Sequence, residues 1–246
     1  MEENNTIDSI NNSKKNGNQT QIAGAILIAG LFIAGAILLR GGSAPIAPTT
    51  AENNGNNNVA VLGAPEAIST EDYVMGDPRA RVVLIEYADF QCPFCGRFFK
   101  DTTTVLNEKY IQTGKIKFVY RDFAFLGEES IKSAEAARCA GDQNKFWEYH
   151  DYLFTHQNGE NKGAFANDNL KSFAKILGLN EVVFNQCLDS AKYEKAVTDS
   201  TDAGAQAGVR GTPKGFILKN GKVVDTIDGA IPTTIVIEKI ENALKN

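Results

Sequence analysis

Hydrophobic positions divide the chain into a polar start, one long apolar run and a mixed remainder. Residues 1–21 are polar and rich in Asn, so they cannot build a core and are predicted to be a disordered tail. Ile22 to Leu39 is an uninterrupted run of 18 residues without a charged or strongly polar side chain. As a helix it would be about 27 Å long, close to the hydrocarbon thickness of a bilayer. The pattern therefore predicts a transmembrane anchor over residues 22–39.

A cleavable signal peptide is the main alternative for the apolar run. Signal peptides usually contain about 7–15 apolar residues, fewer than here. The small residues from Ser43 to Ala47 nevertheless offer a cleavage site, although we favour the uncleaved anchor. Lys14 and Lys15 precede the run and Arg40 follows it, a slight positive bias towards a cytoplasmic N-terminus. We therefore expect a single-pass protein of the cell membrane whose remaining residues are extracytoplasmic.

The residues after the apolar run have the composition of a linker. Residues 40–69 contain Pro45, Pro48 and a cluster of Asn residues, with no apolar periodicity, which predicts a flexible tether. The folded domain is then residues 70–246, which contain all four cysteines, both histidines and the only tryptophan.

Strand and helix patterns alternate within the domain. The apolar run Arg81–Tyr87 is typical of a strand that is covered on both faces, and Asn220-Gly221 is a strong hairpin signal. The predicted order is strand, helix, strand, helical block, two hairpin strands and helix: Arg81–Tyr87, Pro93–Ile111, Lys115–Tyr120, residues 127–207, Gly215–Leu218, Lys222–Thr226 and Pro232–Leu244. This order predicts a small α/β domain interrupted by a helical insert.

Charge and composition exclude several functions. The formal net charge of −5 argues against a nucleic-acid binder, which would normally have a basic face. Four cysteines are too few for a small domain built on disulfides. His150 and His156 are six residues apart on a predicted helix and do not share a face. We expect both to be packing or surface residues.

The motif Cys92-Pro93-Phe94-Cys95 carries the chemistry. It lies where the buried strand ends and a helix begins, so Cys92 faces unpaired backbone N–H groups and the positive end of the helix dipole. Both stabilise a thiolate, the reactive form of cysteine. Pro93 needs no N–H partner in the first turn of the helix. Cys95 lies one turn further along, so we expect Cys92 to be the more exposed sulfur.

Two other interpretations of the motif are half of a zinc site and a chemically inert pair. Zinc usually needs a second pair of ligands at a suitable spacing. Cys139, Cys187, His150 and His156 supply no such pair. We therefore favour a redox-active pair and predict no metal.

Two separate segments resemble one family. Glu86 to Cys95, with the sequence EYADFQCPFC, resembles the active-site segment of the DsbA-like thiol:disulfide oxidoreductases in the thioredoxin superfamily. Gly208 to Pro213, GVRGTP, resembles that family's loop with a cis-proline beside the cysteine pair. The helical block between them resembles the family's helical insert. The resemblance covers residues 70–246 and implies a thioredoxin-like α/β fold, with residues 127–207 as the helical insert.

The resemblance also implies roles for individual residues. Cys92 would be the nucleophile that forms mixed disulfides, and Cys95 its buried partner. Pro213 would be the cis-proline, and Thr212 before it would contact the redox pair and the substrate. Glu86 falls where the family often has a buried acid. It would be either a proton relay for Cys95 or a strand carboxylate paired with a lysine, since a buried acid must be paired or neutralised.

The chain departs from the family pattern at two places. Phe94 stands where the strongest oxidants of the family have His, and Phe cannot donate a hydrogen bond to a thiolate. We therefore expect Cys92 to be less acidified and its disulfide less oxidising than theirs. Lys214-Gly215 follows Pro213 where aromatic or β-branched residues are frequent in the family. The detail of the substrate groove therefore stays open.

Cys139 and Cys187 form a second candidate pair, both within the helical insert. Outside the reducing cytoplasm they would form a structural disulfide. An electron-relay pair and two buried free thiols are the alternatives.

The resemblance implies a thiol:disulfide oxidoreductase that oxidises dithiols in exported proteins. It also implies reoxidation by a membrane partner linked to quinones, with no other cofactor. A reductase or isomerase on the same fold is an alternative, because direction follows from potential and partner. A metal chaperone or binding module that uses the two thiolates is an alternative from another class.

Overall fold

A computed structural model describes residues 63–245 of the chain. The predicted tail and transmembrane anchor, and most of the predicted linker, lie outside the described residues. Within residues 63–245, no helix is both long enough and apolar enough to cross a membrane.

Five strands form one mixed sheet in the order β1-β3-β2-β4-β5. The strands are β1 Tyr73–Gly76, β2 Val82–Ala88, β3 Ile116–Asp122, β4 Lys214–Lys219 and β5 Lys222–Asp228. β2 and β3 are parallel, whereas the other neighbouring strands are antiparallel. The carboxyl ends of β2 and β3 therefore lie at the same edge of the sheet. β4 and β5 form the predicted hairpin.

Seven helices connect and cover the sheet. They are α1, residues 93–111, α2 Glu128–Gly141, α3 Phe146–His156, α4 Asn167–Ile176, α5 Glu181–Asp189, α6 Glu194–Gln206 and α7 Thr233–Lys245. Two stretches of α1 are π-helical, Phe99–Thr103 and Asn107–Ile111. Helices α2 to α6 form the insert between β3 and β4.

Strand β2 lies between β3 and β4 in the sheet, and every one of its seven residues is buried. Val82, Leu84 and Ala88 face a core that includes residues of α1, α7 and the insert. Val83 and Ile85 face the opposite side, in a smaller core formed with the residues that follow α6. Full burial of such side chains contributes about 1.5–3 kcal/mol each. The near-continuous apolar run in the sequence reflects this double coverage.

Three parts of the fold differ from the sequence prediction. Strand β1 was not predicted, because it has only four residues, which are half-buried and exposed in alternation. The helical block is interrupted between α3 and α4, where residues 157–166 form a loop. Part of the predicted linker contacts the domain, since the Arg121 guanidinium donates hydrogen bonds to the Glu66 and Ala67 carbonyls at 3.1 and 3.3 Å.

The insert contains a disulfide between Cys139 of α2 and Cys187 of α5. Both cysteines are buried, at 1% and 6% exposure. The bond joins the central helix of the insert to a helix 48 residues further along the chain.

Replacing Cys139 and Cys187 by Ser together is expected to lower the free energy of unfolding. Closing a loop of this length stabilises by roughly 4 kcal/mol in the chain-entropy model. Chemical denaturation of the variant and the unaltered protein measures the difference, and peptide mapping checks the pairing. Thiol exchange at Cys92 is expected to stay intact in the folded variant. Lost turnover with unchanged stability would instead indicate an electron relay.

Candidate active site

The cysteine motif occupies the junction between β2 and α1. Cys92 is the N-cap residue of α1, and Pro93 is in its first turn. The Cys92 amide donates a hydrogen bond to the Asp89 carbonyl at 3.0 Å, and the Gly96 amide donates to the Cys92 carbonyl at 3.1 Å. The backbone of Cys92 is therefore held on both sides, with its side chain at the N-terminus of the helix.

Both active-site sulfurs are less accessible than the sequence indicated. Cys92 is 5% exposed and Cys95 is fully buried, and both are free thiols. The predicted order of exposure is observed, but Cys92 opens to solvent only slightly. Phe94 between them is 55% exposed, and the Arg97 guanidinium lies 4.9 Å from its ring centre. An attacking thiol therefore has only a small exposed part of Cys92 to reach.

The surroundings of Cys92 favour its thiolate. A hydrogen bond from the Cys95 thiol is the largest cause, and further bonds come from Thr212 and from the Cys95 and Phe94 backbone amides. Burial opposes them, and the net effect lowers the pKa of Cys92 to about 6. Roughly nine in ten molecules then have a thiolate here at pH 7.

Thr212 lies against the cysteine pair, as the family resemblance implies. The peptide bond between Thr212 and Pro213 is cis. The Cys92 Sγ donates to the Thr212 carbonyl at 3.5 Å. The buried Thr212 hydroxyl has no hydrogen-bond partner among the described residues. It is therefore free to donate to the Cys92 thiolate, and a hydrogen bond from Thr212 to this sulfur lowers the pKa of Cys92.

Cys95 and Glu86 are the protonated members of the site. Burial raises the pKa of Cys95 well above its usual value, and the neighbouring Cys92 raises it further. Burial also raises the pKa of Glu86 to about 8, with the charge of Cys92 as a second cause. No salt bridge among residues 63–245 involves Glu86, so no lysine of this part of the chain pairs with it. The carboxyl is instead neutralised by its own proton.

The protonation of Glu86 links stability to pH. Its pKa in the folded protein lies above the usual value of 4.5. The folded state therefore binds this proton more tightly than the unfolded state. The resulting stabilisation is fully present below pH 4.5 and is lost as the pH rises towards 8.

The residues after Pro213 are held by the sheet. The Lys214 ammonium pairs with the Asp228 carboxylate and lies 5.3 Å from the centre of the Phe216 ring. Gly215 is opposite Glu86 in the ladder between β2 and β4. A Cβ at this glycine would lie 3.0 Å from the Ile227 side chain, so there is little room for a larger residue at position 215.

Gln157 is a site residue that sequence reasoning missed. It follows α3, and its side-chain amide donates to the Phe90 carbonyl at 2.9 Å and to the Cys92 carbonyl at 3.4 Å. A Cβ on Gly96 would lie 2.5 Å from the Gln157 side-chain oxygen, so glycine at position 96 gives this side chain room. No local pattern reveals the contact, because 65 residues separate Gln157 from Cys92.

The other candidate residues lie apart from this chemistry. Cys139 and Cys187 pair with each other inside the insert. His150 is 2% exposed among aromatic rings, including Phe99 and Tyr120, so it is a packing residue. The part of the chain that the structure describes contains no group of three or more His, Cys, Asp or Glu residues placed to hold a metal ion.

Alkylation of the reduced protein is expected to modify Cys92 with a midpoint near pH 6, because the thiolate is the reacting form. Cys95 should stay largely unmodified at neutral pH. Thr212→Val should raise the midpoint because a hydrogen-bond donor is lost. Thr212→Ser, which keeps the hydroxyl, should leave the midpoint near that of the unaltered protein. Mass mapping of each cysteine across pH is the measurement. Faster alkylation of Cys95 at neutral pH would reverse the two assignments.

Comparison with known proteins finds relatives that are named as disulfide oxidoreductases. The chain is 30% identical over 154 residues to a protein of Rickettsia typhi named as a putative protein-disulfide oxidoreductase. That match covers 61% of this chain and 56% of the relative, so the chain spans just over half of the relative's length.

Two solved structures share the fold. BdbD from Bacillus subtilis, in its oxidised form, is 25% identical, with a TM-score of 0.67 over 76% of this chain and 98% of that one. Wolbachia pipientis α-DsbA1 is 23% identical, with a TM-score of 0.66 over 72% of this chain and 93% of that one. These likenesses confirm the prediction of a thioredoxin-like α/β fold with a helical insert. The thioredoxin family model matches residues 69–234, about two thirds of the chain, and the chain therefore belongs to the thioredoxin family.

Proposed function

We propose that this protein is a thiol:disulfide oxidoreductase that introduces disulfides into exported proteins. The observation that carries the proposal is the unequal cysteine pair against the cis Thr212–Pro213 bond. Cys92 has its pKa lowered to about 6, whereas burial raises that of Cys95. The name of the Rickettsia relative and the fold shared with BdbD support the same chemistry.

The reaction starts from a disulfide between Cys92 and Cys95. A substrate thiolate attacks the Cys92 Sγ, forms a mixed disulfide and releases Cys95 as a thiolate. The raised pKa of Cys95 makes this sulfur take up a proton. We propose Glu86, protonated at neutral pH, as the relay for that proton. A second substrate thiolate then attacks the substrate sulfur of the mixed disulfide and releases Cys92.

The balance of this reaction is two electrons from the substrate thiols to the cysteine pair. Cys92 departs readily in the second step, because a thiol of low pKa is a good leaving group. The substrate retains a disulfide, and Cys92 and Cys95 are left reduced.

The lowered pKa of Cys92 favours oxidation over reduction of substrates. Stabilising the thiolate stabilises the reduced protein, and a disulfide with a stable reduced form is a strong oxidant. A potential close to that of thioredoxin, about −270 mV, would favour a reductase, and one close to that of protein disulfide isomerase, about −180 mV, would favour an isomerase. No geometric observation in the described residues supports the alternative of a metal chaperone.

We propose that a membrane partner linked to quinones reoxidises the pair, and that the apolar run Ile22–Leu39 keeps the domain beside it on the extracytoplasmic side. The length of that run and the flanking Lys14, Lys15 and Arg40 support the proposal.

The anchor is tested by fractionating cells that express the full chain. The protein is expected to stay in the membrane fraction after a high-salt wash, because about 20 apolar residues are enough to span a bilayer. Recovery of a soluble form that begins near residue 45 would indicate a cleaved signal peptide instead.

Replacing Cys95 by Ala is expected to trap mixed disulfides when the Cys92 thiolate attacks a disulfide of an exported protein. The attack releases one thiolate of that protein, and no Cys95 thiol remains to displace the other sulfur from Cys92. Cys92→Ala should abolish both trapping and turnover. The measurements are oxidation of a reduced dithiol protein and non-reducing electrophoresis of the trapped species. Phe94→His should lower the pKa of Cys92 further and raise the reduction potential. Trapping through Cys95 in the Cys92→Ala variant would contradict the mechanism.

A further inference from the structure

A buried carboxylate beside the active site is not used by the proposed sulfur chemistry. Asp89 is 1% exposed and follows β2 directly. One of its oxygens accepts hydrogen bonds from the Gln91 amide at 2.8 Å and the Ser130 hydroxyl at 2.7 Å. The other accepts from the Phe125 and Leu126 amides at 3.0 and 3.2 Å. Four donors thus converge on one side chain, which offsets the cost of burying it.

The Asp89 contacts are part of a larger network. The Gln91 side-chain amide donates to the Ser130 hydroxyl at 2.8 Å, and its oxygen accepts from the Asn161 backbone amide at 2.6 Å. The Asn161 side chain in turn donates to the Leu126 carbonyl at 2.7 Å. We call these four side chains, Asp89, Gln91, Ser130 and Asn161, the Asp89 network. It joins four chain segments: the loop before Cys92, the loop after β3, helix α2 and the loop after α3.

The loop after β3 carries an exposed aromatic side chain. Phe125 is 48% exposed, and its backbone amide is one of the four donors to Asp89. Because β2 and β3 are parallel, Phe125 and Cys92 emerge at the same edge of the sheet. The Phe125 ring is exposed at this edge, and the hydrogen bond to Asp89 holds its backbone in place. Such a ring suits contact with an apolar segment of a bound protein.

The network does not act directly on the active-site sulfur. The hydrogen bond between Asp89 and Cys92 runs from the Cys92 amide to the Asp89 backbone carbonyl and does not involve the Asp89 side chain. The interactions that lower the pKa of Cys92 come instead from Cys95, Thr212 and Phe94.

We propose that Asp89 is a positioning residue that holds Phe125 as a fixed apolar contact for protein thiols attacking Cys92. The proposal rests on the proposed function, because it assigns a substrate-binding surface to that site. The network then acts on the binding of apolar polypeptide thiols, whereas small dithiols that do not reach Phe125 react independently of it.

The test compares Ser130→Ala with Ser133→Ala. Both serines are fully buried in α2, but the Ser133 hydroxyl donates to the Ser130 carbonyl and makes no bond to Asp89. Two probes are dithiols: a short synthetic peptide with two cysteines among apolar residues, and dithiothreitol. Both are assayed with glutathione disulfide present, which reoxidises Cys92 and Cys95 after each turnover. A third probe is the same peptide with both cysteines replaced by serine, whose dissociation constant is measured without any redox step.

Ser130→Ala is expected to raise the KM for the dithiol peptide and the Kd for the serine peptide by roughly 3- to 10-fold, the range associated with one lost hydrogen bond. The kcat, the rate with dithiothreitol and the alkylation midpoint of Cys92 should stay within about two-fold of the unaltered protein, below the effect of one typical hydrogen bond. Ser133→Ala should match the unaltered protein throughout. In a Phe125→Ala background, Ser130→Ala should have no further effect on KM, because the two changes act through one contact.

Several results would overturn the proposal. Equal losses with peptide and dithiothreitol would show that the network acts on the sulfur chemistry. Unchanged KM and Kd in both Ser130→Ala and Asp89→Asn would show that it is only structural, as would equal effects of Ser130→Ala and Ser133→Ala. Failure of the unaltered protein to bind the serine peptide would remove the surface itself. If the unaltered protein binds this peptide but does not oxidise the dithiol form, the proposed function fails while the positioning role is still measured by Kd.

Discussion

The hydrogen bonding of a negatively charged sulfur at the start of helix α1 is the interaction on which the site depends. Cys92 is almost enclosed, so its charge would be costly without donors around it. The Cys95 thiol, Thr212 and two backbone amides supply them. Each donor needs a fixed position, and this requirement explains why a central strand, a helix start and a cis peptide bond meet at one point.

The same low-polarity surroundings separate the two cysteines chemically. At Cys92 the hydrogen bonds lower the pKa by more than burial raises it, whereas at Cys95 burial has the larger effect. One sulfur is therefore ionised while the other is protonated. Burial has the same effect on Glu86 as on Cys95: it raises the pKa of the carboxyl to about 8, so Glu86 keeps its proton at neutral pH. One thiolate, one thiol and one neutral carboxyl thus have the ionisation states that the proposed exchange requires of a leaving group, its buried partner and a proton donor.

The helical insert contributes to the site as well as covering the sheet. Gln157 reaches from the loop after α3 to the backbone on either side of the motif. Asn161, from the same loop, joins the Asp89 network. The disulfide between Cys139 and Cys187 stiffens the helices behind this loop. Insert and active-site loop therefore form one hydrogen-bonded body, and a protein substrate would meet a surface built from both.

The sequence by itself determined the position of the chemistry. A doubly buried strand followed directly by Cys92-Pro93-Phe94-Cys95 places a thiol at a helix start through local pattern alone. The Thr212-Pro213 motif, far from the cysteines in the chain, supported the family resemblance from which the fold was predicted. Tertiary structure decided the ionisation of Glu86 and the roles of Gln157 and Asp89. These properties depend on burial and on contacts between residues that are far apart in the chain, and a single sequence contains no local signal for either.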